Sequence, residues 1–433
     1  MPSKAEYDLI EAFNAPATSQ RLDALRQWRQ QFASVMTDAV ANRDVNNHIH
    51  TQYSFSPYSP TKAAWMAMQA GLATAGIMDH DTIAGAREFI EAGRILGLPT
   101  TIGAESRVSF AGTPFAGRRI NNPDQDTIAY VTMHGVPHSQ IDAVANWFKP
   151  VLRARGKRNH LMTERLNGLL QPAGLTIDYD QDVIPLSMAH DGGQITERHL
   201  LFAVAQQLIK RFVEPAQLLA FLENTLRVPV RSKTREQLSD PHNPHLAYDL
   251  LGVLKSDLVD KFYIEATDEC PPVSELVDFA SSHGIILAYA YLGDVTDSVT
   301  GDKKAQAFED AYLEDLISHL KDLGFHGVTY MPSRNTRDQL LRLRSLCERY
   351  ELFQISGEDI NQPRQKFVCE AMRDPLFENL YDAAWALIGH ELLATENLEK
   401  GLFATPSCKE EPALPKRVRS FRDLAMRHYH SET

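Results

Sequence analysis

Apolar residues along this chain follow two rhythms. Short apolar runs at Val45 to Ile49, Thr74 to Met78, Thr100 to Ala104, Thr127 to Met133, Gly284 to Ala290, Gly327 to Met331 and Leu352 to Ser356 predict strands. Helical spacing separates most of them. One helix starts at Ser59-Pro60-Thr61 and runs through Ala70, with Ser59 as its cap and Pro60 in the first turn. Others are predicted over Ala84 to Leu96, Ala305 to Leu323 and Thr336 to Tyr350. Strands alternating with helices imply a parallel sheet or a β/α barrel. Between 137 and 279 the rhythm changes: Ile141 to Phe148, Lys157 to Leu170 and Thr196 to Phe212 are amphipathic, and no comparable strand occurs. A helical block inserted between two halves of one barrel fits better than three tandem domains.

The resulting organisation is a helical N-terminal extension (1–45), a first barrel half (46–136), a mainly helical insertion (137–279), a second barrel half (280–369) and a C-terminal extension (370–433). The N-terminal extension carries Leu22, Leu25, Trp28 and Phe32 on a helix predicted over Arg21 to Met36. The C-terminal one has a helix over Leu376 to Leu393 and then a polar, Pro- and charge-rich tail.

Composition narrows the function. With 433 residues, 43% apolar and 23% charged, the chain reads as an ordinary globular protein. A net charge of −12 disfavours bulk nucleic-acid binding but leaves room for a small phosphorylated substrate. The four cysteines form no Cys-x-x-Cys pair, the N-terminus lacks a signal peptide's apolar core, and no apolar run approaches a membrane span. The expectation is a reduced, cytoplasmic protein without a membrane anchor; a homo-oligomer is compatible with it.

Candidate chemistry gathers where strands end. His48 and His50, one residue apart on an extended strand, point the same way and can close on one ion. His80, flanked by Asp79 and Asp81, follows the second strand, Glu105 the third, His134 the fourth and Asp359 the last. An isolated His-x-His is ordinarily a pair of loop histidines. Ligand types recurring at the ends of successive strands point instead to a metal site at a barrel rim. Imidazoles with carboxylates suit Zn, Mn or Fe.

The segments His-Ile-His-Thr (48–51), Asp-His-Asp (79–81) and Gly-Ala-Glu (103–105) together resemble the PHP (polymerase and histidinol phosphatase) superfamily of metal-dependent phosphoesterases. The resemblance implies a distorted (β/α)7 barrel. It covers about 46–136, 280–365 and part of the insertion. There, Arg158-Asn159-His160, Gly174 to Asp178 and Gly192 to His199 resemble a branch that hydrolyses nucleoside 3′,5′-bisphosphates and the 5′ ends of short RNA. In that branch an Arg-His helix start lies near the substrate phosphate, which implies a phosphate-binding role for Arg198 and His199; a capped surface helix with solvated Arg198 is the plainer alternative.

The chain departs from the family at three ligand positions. Phe55 stands for an Asp, Tyr289 for a His and Asn361 for a His. Phe offers no donor, and neutral Asn is a poor ligand. Tyr binds ferric iron as a phenolate but is otherwise weak. By the family's grouping, His48, His50, Glu105 and Asp359 make one complete metal position. Glu105, His134 and Tyr289 make a weakened second, and Phe55, His80 and Asn361 a third that keeps only His80. The expectation is one firm divalent ion and room for a second. His80 is then left free for acid–base work, oriented by Asp79 and Asp81.

Outside this set, Arg118-Arg119 and Arg153, Arg155, Lys157 and Arg158 read as solvated basic patches able to steer an anion. Arg334 and Arg364 follow late strands and could reach the mouth, and Tyr53 and Tyr58 fit either base stacking or packing. Asp294 is a candidate partner of the site. Two functions remain. One is hydrolysis of a small phosphomonoester, most consistent with a nucleotide. The other is a catalytically reduced relative that binds a phosphorylated ligand or a protein partner as a sensor or scaffold.

Overall fold

In the computed structural model, residues 3–32, 43–295 and 306–430 are described. Seven strands form one sheet in chain order: β1 (Val45–Ile49), β2 (Thr74–His80), β3 (Thr100–Ser109), β4 (Ile128–His134), β5 (Ile286–Ala290), β6 (Gly327–Tyr330) and β7 (Phe353–Ser356). The sheet curls until β1 meets the segment after β7. There the His50 amide donates to the Ile360 carbonyl (2.9 Å), and the Ile360 amide donates to the His48 carbonyl (3.1 Å). Gly357 lies so close to β1 that a Cβ there would come within 2.6 Å of His48, so the closure requires glycine. The fold is a distorted, nearly closed seven-stranded α/β barrel with helical extensions.

One strand runs the other way. β4 is antiparallel to both β3 and β5, while the remaining pairs are parallel. Period-two alternation places side chains on faces but carries no direction, so the sequence pattern could not reveal this.

The layers outside the barrel follow the predicted helices with shifted ends. In chain order they begin with α1 (Lys4–Ala12), α2 (Thr18–Phe32), α3 (Pro60–Gln69) and α4 (Ala86–Leu96). Ser59 caps α3 through the Lys62 amide, with Pro60 at the helix start. Buried Arg21 of α2 is fastened to Glu88 of α4 (2.8 and 2.5 Å), and Glu88 also accepts from Thr61 of α3. The helix predicted over Arg21 to Met36 and the start of the one from Ala305 extend outside the described residues.

The two helices predicted over Ile141 to Phe148 and Lys157 to Leu170 are one: α5 (Ile141–Leu170) runs unbroken through Pro150. Its first half packs Val144, Phe148 and Val151 into the barrel layer, and its second half packs Met162, Leu166 and Leu170 into a separate core. Packing at both ends keeps continuous a helix that Pro would otherwise tend to break. The insertion's own core also takes α6 (Glu197–Arg211), α7 (Pro215–Ala220), α8 (Ser232–Ser239) and α9 (Leu246–Phe262). The chain returns to the barrel through α10 (Val273–Ser282), and α11 (Leu313–Leu323) and α12 (Arg337–Arg349) follow β5 and β6.

The barrel end opposite the metal candidates is covered by α13 (Glu378–Glu396). Its Ala383, Ala386 and Leu387 pack on Ile286, Ala288, Phe353 and Ile355. Glu391 accepts from the Ile102 amide (2.8 Å) and from the Thr101 hydroxyl, tying the helix to the start of β3. Beyond it the chain forms α14 (Thr405–Glu410) and α15 (Leu414–His430), where the sequence pattern suggested a tail. Among the described residues no helix is long and apolar enough to cross a membrane.

The insertion is joined to the barrel by buried charge. Arg155 and Arg158, read from sequence as a solvated patch, are instead 5% and 7% exposed. Arg158 makes a forked bond to Glu269 (both 2.7 Å), Arg107 of β3 reaches the same carboxylate, and Arg155 binds Asp81. Burial opposes ionisation of Glu269, but Arg155 and Arg107 outweigh it and hold its carboxyl below the usual range. Removing this carboxylate strands guanidinium charges in the interior. Glu269→Ala should therefore lower stability by about 3–5 kcal/mol, read as a reduced urea midpoint at unchanged slope.

Candidate metal centre

The barrel mouth is built by alternation. Glu105 pairs with Thr132 across β3 and β4, and Thr132 pairs with Ala288 across β4 and β5, so these three share the inward face. His80, paired with Glu105, faces inward beside them. On β1 a register shift between Asn46 and Ile49 turns His48 and His50 into the same space. The Asn46 side chain stabilises that irregularity by accepting from the His48 amide (2.9 Å).

His48, His50 and Glu105 converge closely enough for one ion, and all three are buried. The two Nε2 atoms of His48 and His50 are 3.2 Å apart. They lie 3.6 and 4.0 Å from Glu105 Oε2. Asp359 Oδ1 is 3.2 Å from His50 Nε2, and His80 Nδ1 is 2.9 Å from Glu105 Oε2. Five predicted residues are thus brought to one place from three strands and the closing segment.

Electrostatics within the cluster are dominated by mutual contact. Burial disfavours charge on His48, yet Glu105 more than compensates and raises its pKa. Burial and the neighbouring His80 push His50 down. Glu105 is held far below the usual carboxylate range by His80 and His48 in spite of burial. Desolvation opposes ionisation of Asp359 too, but its side chain is 40% exposed, and His50 and His48 keep it well below its ordinary value.

The orientation of His50 comes from an unexpected quarter. Asp79 points away from the barrel interior, opposite to His80. It accepts from the Thr51 amide (2.7 Å), the Thr51 hydroxyl (2.6 Å) and the Ser54 hydroxyl (2.6 Å). Ser54 Oγ in turn is 3.2 Å from His50 Nδ1. With its hydroxyl proton committed to Asp79, Ser54 accepts from Nδ1–H, which leaves the His50 Nε2 lone pair facing the cluster. Asp79 therefore positions His50 and does not orient His80. Asp81 does not orient His80 either, because its carboxylate is taken by Ser106 and Arg155.

His134 differs from its expected place. Because β4 runs antiparallel, the end of that strand lies deep in the barrel, below the level of Glu105. The ring is 1% exposed, and burial with the nearby His48 pushes its pKa down to about 3, so it is neutral. Its Nε2 has no hydrogen-bond partner among the described residues. A neutral, unpartnered imidazole nitrogen under the electrostatic influence of His48 and Glu105 fits a divalent transition ion, which would take up its lone pair.

Tyr289 is not in the centre. It follows inward-facing Ala288 and so lies on the opposite face of β5, fully buried in the outer apolar layer. Its hydroxyl donates to Glu309 (3.1 Å), and burial and that carboxylate raise its pKa well above the phenol value, excluding a phenolate ligand. Asn361 sits beside the centre, and its Nδ2 donates to Asp359 Oδ1 (2.6 Å), orienting that carboxylate. Phe55 belongs to the insertion's core, its ring 4.9 Å from His199 and 5.8 Å from Tyr248.

At the start of α6, Thr196 accepts from the Arg198 amide, and His199 Nδ1 accepts from the Thr196 amide (3.0 Å). Burial pushes His199 down to about 3. It is a neutral cap of the helix start. The Arg198 guanidinium has no ion pair among the described residues, and its charge acts on Asp359. Tyr53 and Tyr58 are core residues. Arg364 is engaged by Asp249 in a forked pair (both 2.8 Å), fastening α9 to the segment after β7, and Asp294 caps the Phe308 amide outside the site.

No protein-family model and no curated protein matches the chain. Among solved structures, it is similar to one from Bifidobacterium adolescentis described, as a provisional assignment, as a metal-dependent phosphoesterase. The identity is 20% and the TM-score 0.50, over 77% of this chain and 95% of that one. A second, an amidohydrolase from Chromobacterium violaceum with bound sulfate and no metal, gives 17% identity and a TM-score of 0.48 over 76% and 90%. At 20% identity the first likeness speaks for the fold alone.

Metal content separates these roles. His50→Ala and Glu105→Ala should each abolish stoichiometric Mn or Zn binding, measured by plasma emission after dialysis. Tyr289→Phe should retain the wild-type metal content.

Proposed function

We propose that this protein is a PHP-type, metal-dependent phosphoesterase that hydrolyses a phosphomonoester of a small metabolite, a nucleotide by preference. The observation that carries this reading is the convergence of His48, His50 and Glu105 beside the unpartnered His134, with the uncommitted guanidinium of Arg198 near Asp359. The resemblance of the His-Ile-His-Thr and Asp-His-Asp segments to that superfamily supports it. So does the fold shared with a structure described as a metal-dependent phosphoesterase.

His48, His50, Glu105 and Asp359 would hold the first ion, and His134 with Glu105 a second. A divalent cation there supplies Lewis acidity toward water and the phosphoryl oxygens. Asp79, through Ser54, keeps the His50 tautomer that leaves Nε2 unprotonated. Asn361 holds Asp359 in place. His80, anchored to Glu105 through Nδ1, donates a proton from Nε2 to the leaving-group oxygen. Arg198 neutralises charge on the phosphoryl group as the ester bond lengthens. His199 fixes the helix start from which Arg198 projects.

The test is phosphate release from adenosine 3′,5′-bisphosphate and a panel of phosphomonoesters by Mn-loaded protein. Turnover should appear with at least one of them and be lost in His50→Ala. His80→Ala should keep its Mn and lose roughly 100-fold or more in kcat, the scale of general acid catalysis. Full metal content with no turnover on any ester would favour the sensor or scaffold reading.

A further inference from the structure

On the insertion side, two cations are carried by neighbouring helices. Arg198 lies in the first turn of α6 and Lys255 midway along α9, and the two helices pack together. The Lys255 Nζ is 3.8 Å from Glu197 Oε1, beyond hydrogen-bonding distance, and its side chain is 40% exposed. Among the described residues Glu197 is its one ion-pair partner. The charge of Arg198 is the largest influence on the Lys255 ammonium and lowers its pKa; burial adds to this, and Glu197, Asp124 and Asp359 act against it.

These neighbours locate Lys255. Asp359 belongs to the metal centre. Asp124 lines an open cleft of about 530 Å³ between the segment after β3 and residues 265–270. Lys255 thus feels both the centre, through Asp359, and the cleft, through Asp124. The Arg364–Asp249 fork holds α9 to the segment that carries Asp359, so this placement is built in. Two like charges that the carboxylates around them compensate only in part are unfavourable until an anion joins them. A phosphoryl group between the pair and the metal centre would satisfy both, one with a fork and one with a point charge.

We propose that Lys255 is a phosphate-binding residue that forms, with Arg198, a two-cation clamp pressing the substrate's phosphoryl group against the metal centre from the insertion side. The proposal deepens the phosphoesterase reading and rests on it for the identity of the substrate. No signal in the linear pattern marks Lys255. In an amphipathic helix it reads as a surface lysine, and only the packing of α9 on α6 brings it over the mouth.

The experiment titrates inorganic phosphate into Mn-loaded full-length protein by calorimetry. Lys255→Met should weaken binding by roughly tenfold or more, the fold-change expected on losing one charge-assisted hydrogen bond. Lys255→Arg should keep most of the affinity, and Glu197→Gln should bind at least as tightly as the parent. Wild-type affinity in Lys255→Met, with unchanged Mn content and melting temperature, would overturn the clamp and leave Lys255 as a partner of Glu197. Should that variant lose Mn or melt early, Lys255→Gln carries the same comparison. A parent protein that binds no phosphate also overturns the clamp. Because the readout does not depend on turnover, phosphate binding that depends on Lys255 without hydrolysis of any ester would sink the phosphoesterase reading alone.

Discussion

The closure of the barrel between β1 and the segment after β7 is the contact on which the site depends. Two backbone hydrogen bonds on either side of Ile360 use the carbonyl of His48 and the amide of His50, the residues whose side chains enter the centre. The same short stretch carries Asp359 and Asn361, so sealing the barrel and bringing Asp359 to His50 are one event. Gly357 makes the approach possible by leaving room for His48. A shift of one residue there would turn Asp359 away and reverse the faces of the pairing strand.

The insertion is a second constraint on the same mouth. It has its own apolar core, yet it is tied to the barrel by a long shared helix, by Phe55 and by the arginines around Glu269. Phe55 gives the departure from the family pattern a physical meaning. Where a carboxylate would reach toward a metal, an aromatic ring anchors the helices that carry Arg198 and Lys255. Tyr289 makes a parallel exchange, joining the outer layer through Glu309. The donors that remain are the buried group of His48, His50 and Glu105 and the deep imidazole of His134.

Much of the candidate site was legible in the linear pattern. The His-x-His on a strand, and ligand types at the ends of the following strands, sufficed to single out His48, His50, His80, Glu105 and Asp359. Local periodicity also located all seven strands and the helical block. Other parts were out of reach for definite reasons. Asp79 looked like the orienter of His80 because it is adjacent in sequence, but adjacent strand residues face opposite ways, and it acts on His50 through Ser54. Arg155 and Arg158 looked solvated because a charge run on a helix usually is, until Glu269 and Asp81 are found opposite them.

The sequence by itself determined which residue types are available, which face of each strand they occupy, and where the barrel is interrupted, because these follow from backbone periods of two and 3.6. Only the tertiary structure decided the direction of β4, and with it the depth of His134. Only it sent Tyr289 and Phe55 into apolar layers and brought Lys255 beside Arg198. Those outcomes depend on long-range pairing and on which charges share a buried volume, neither of which is recorded in local spacing.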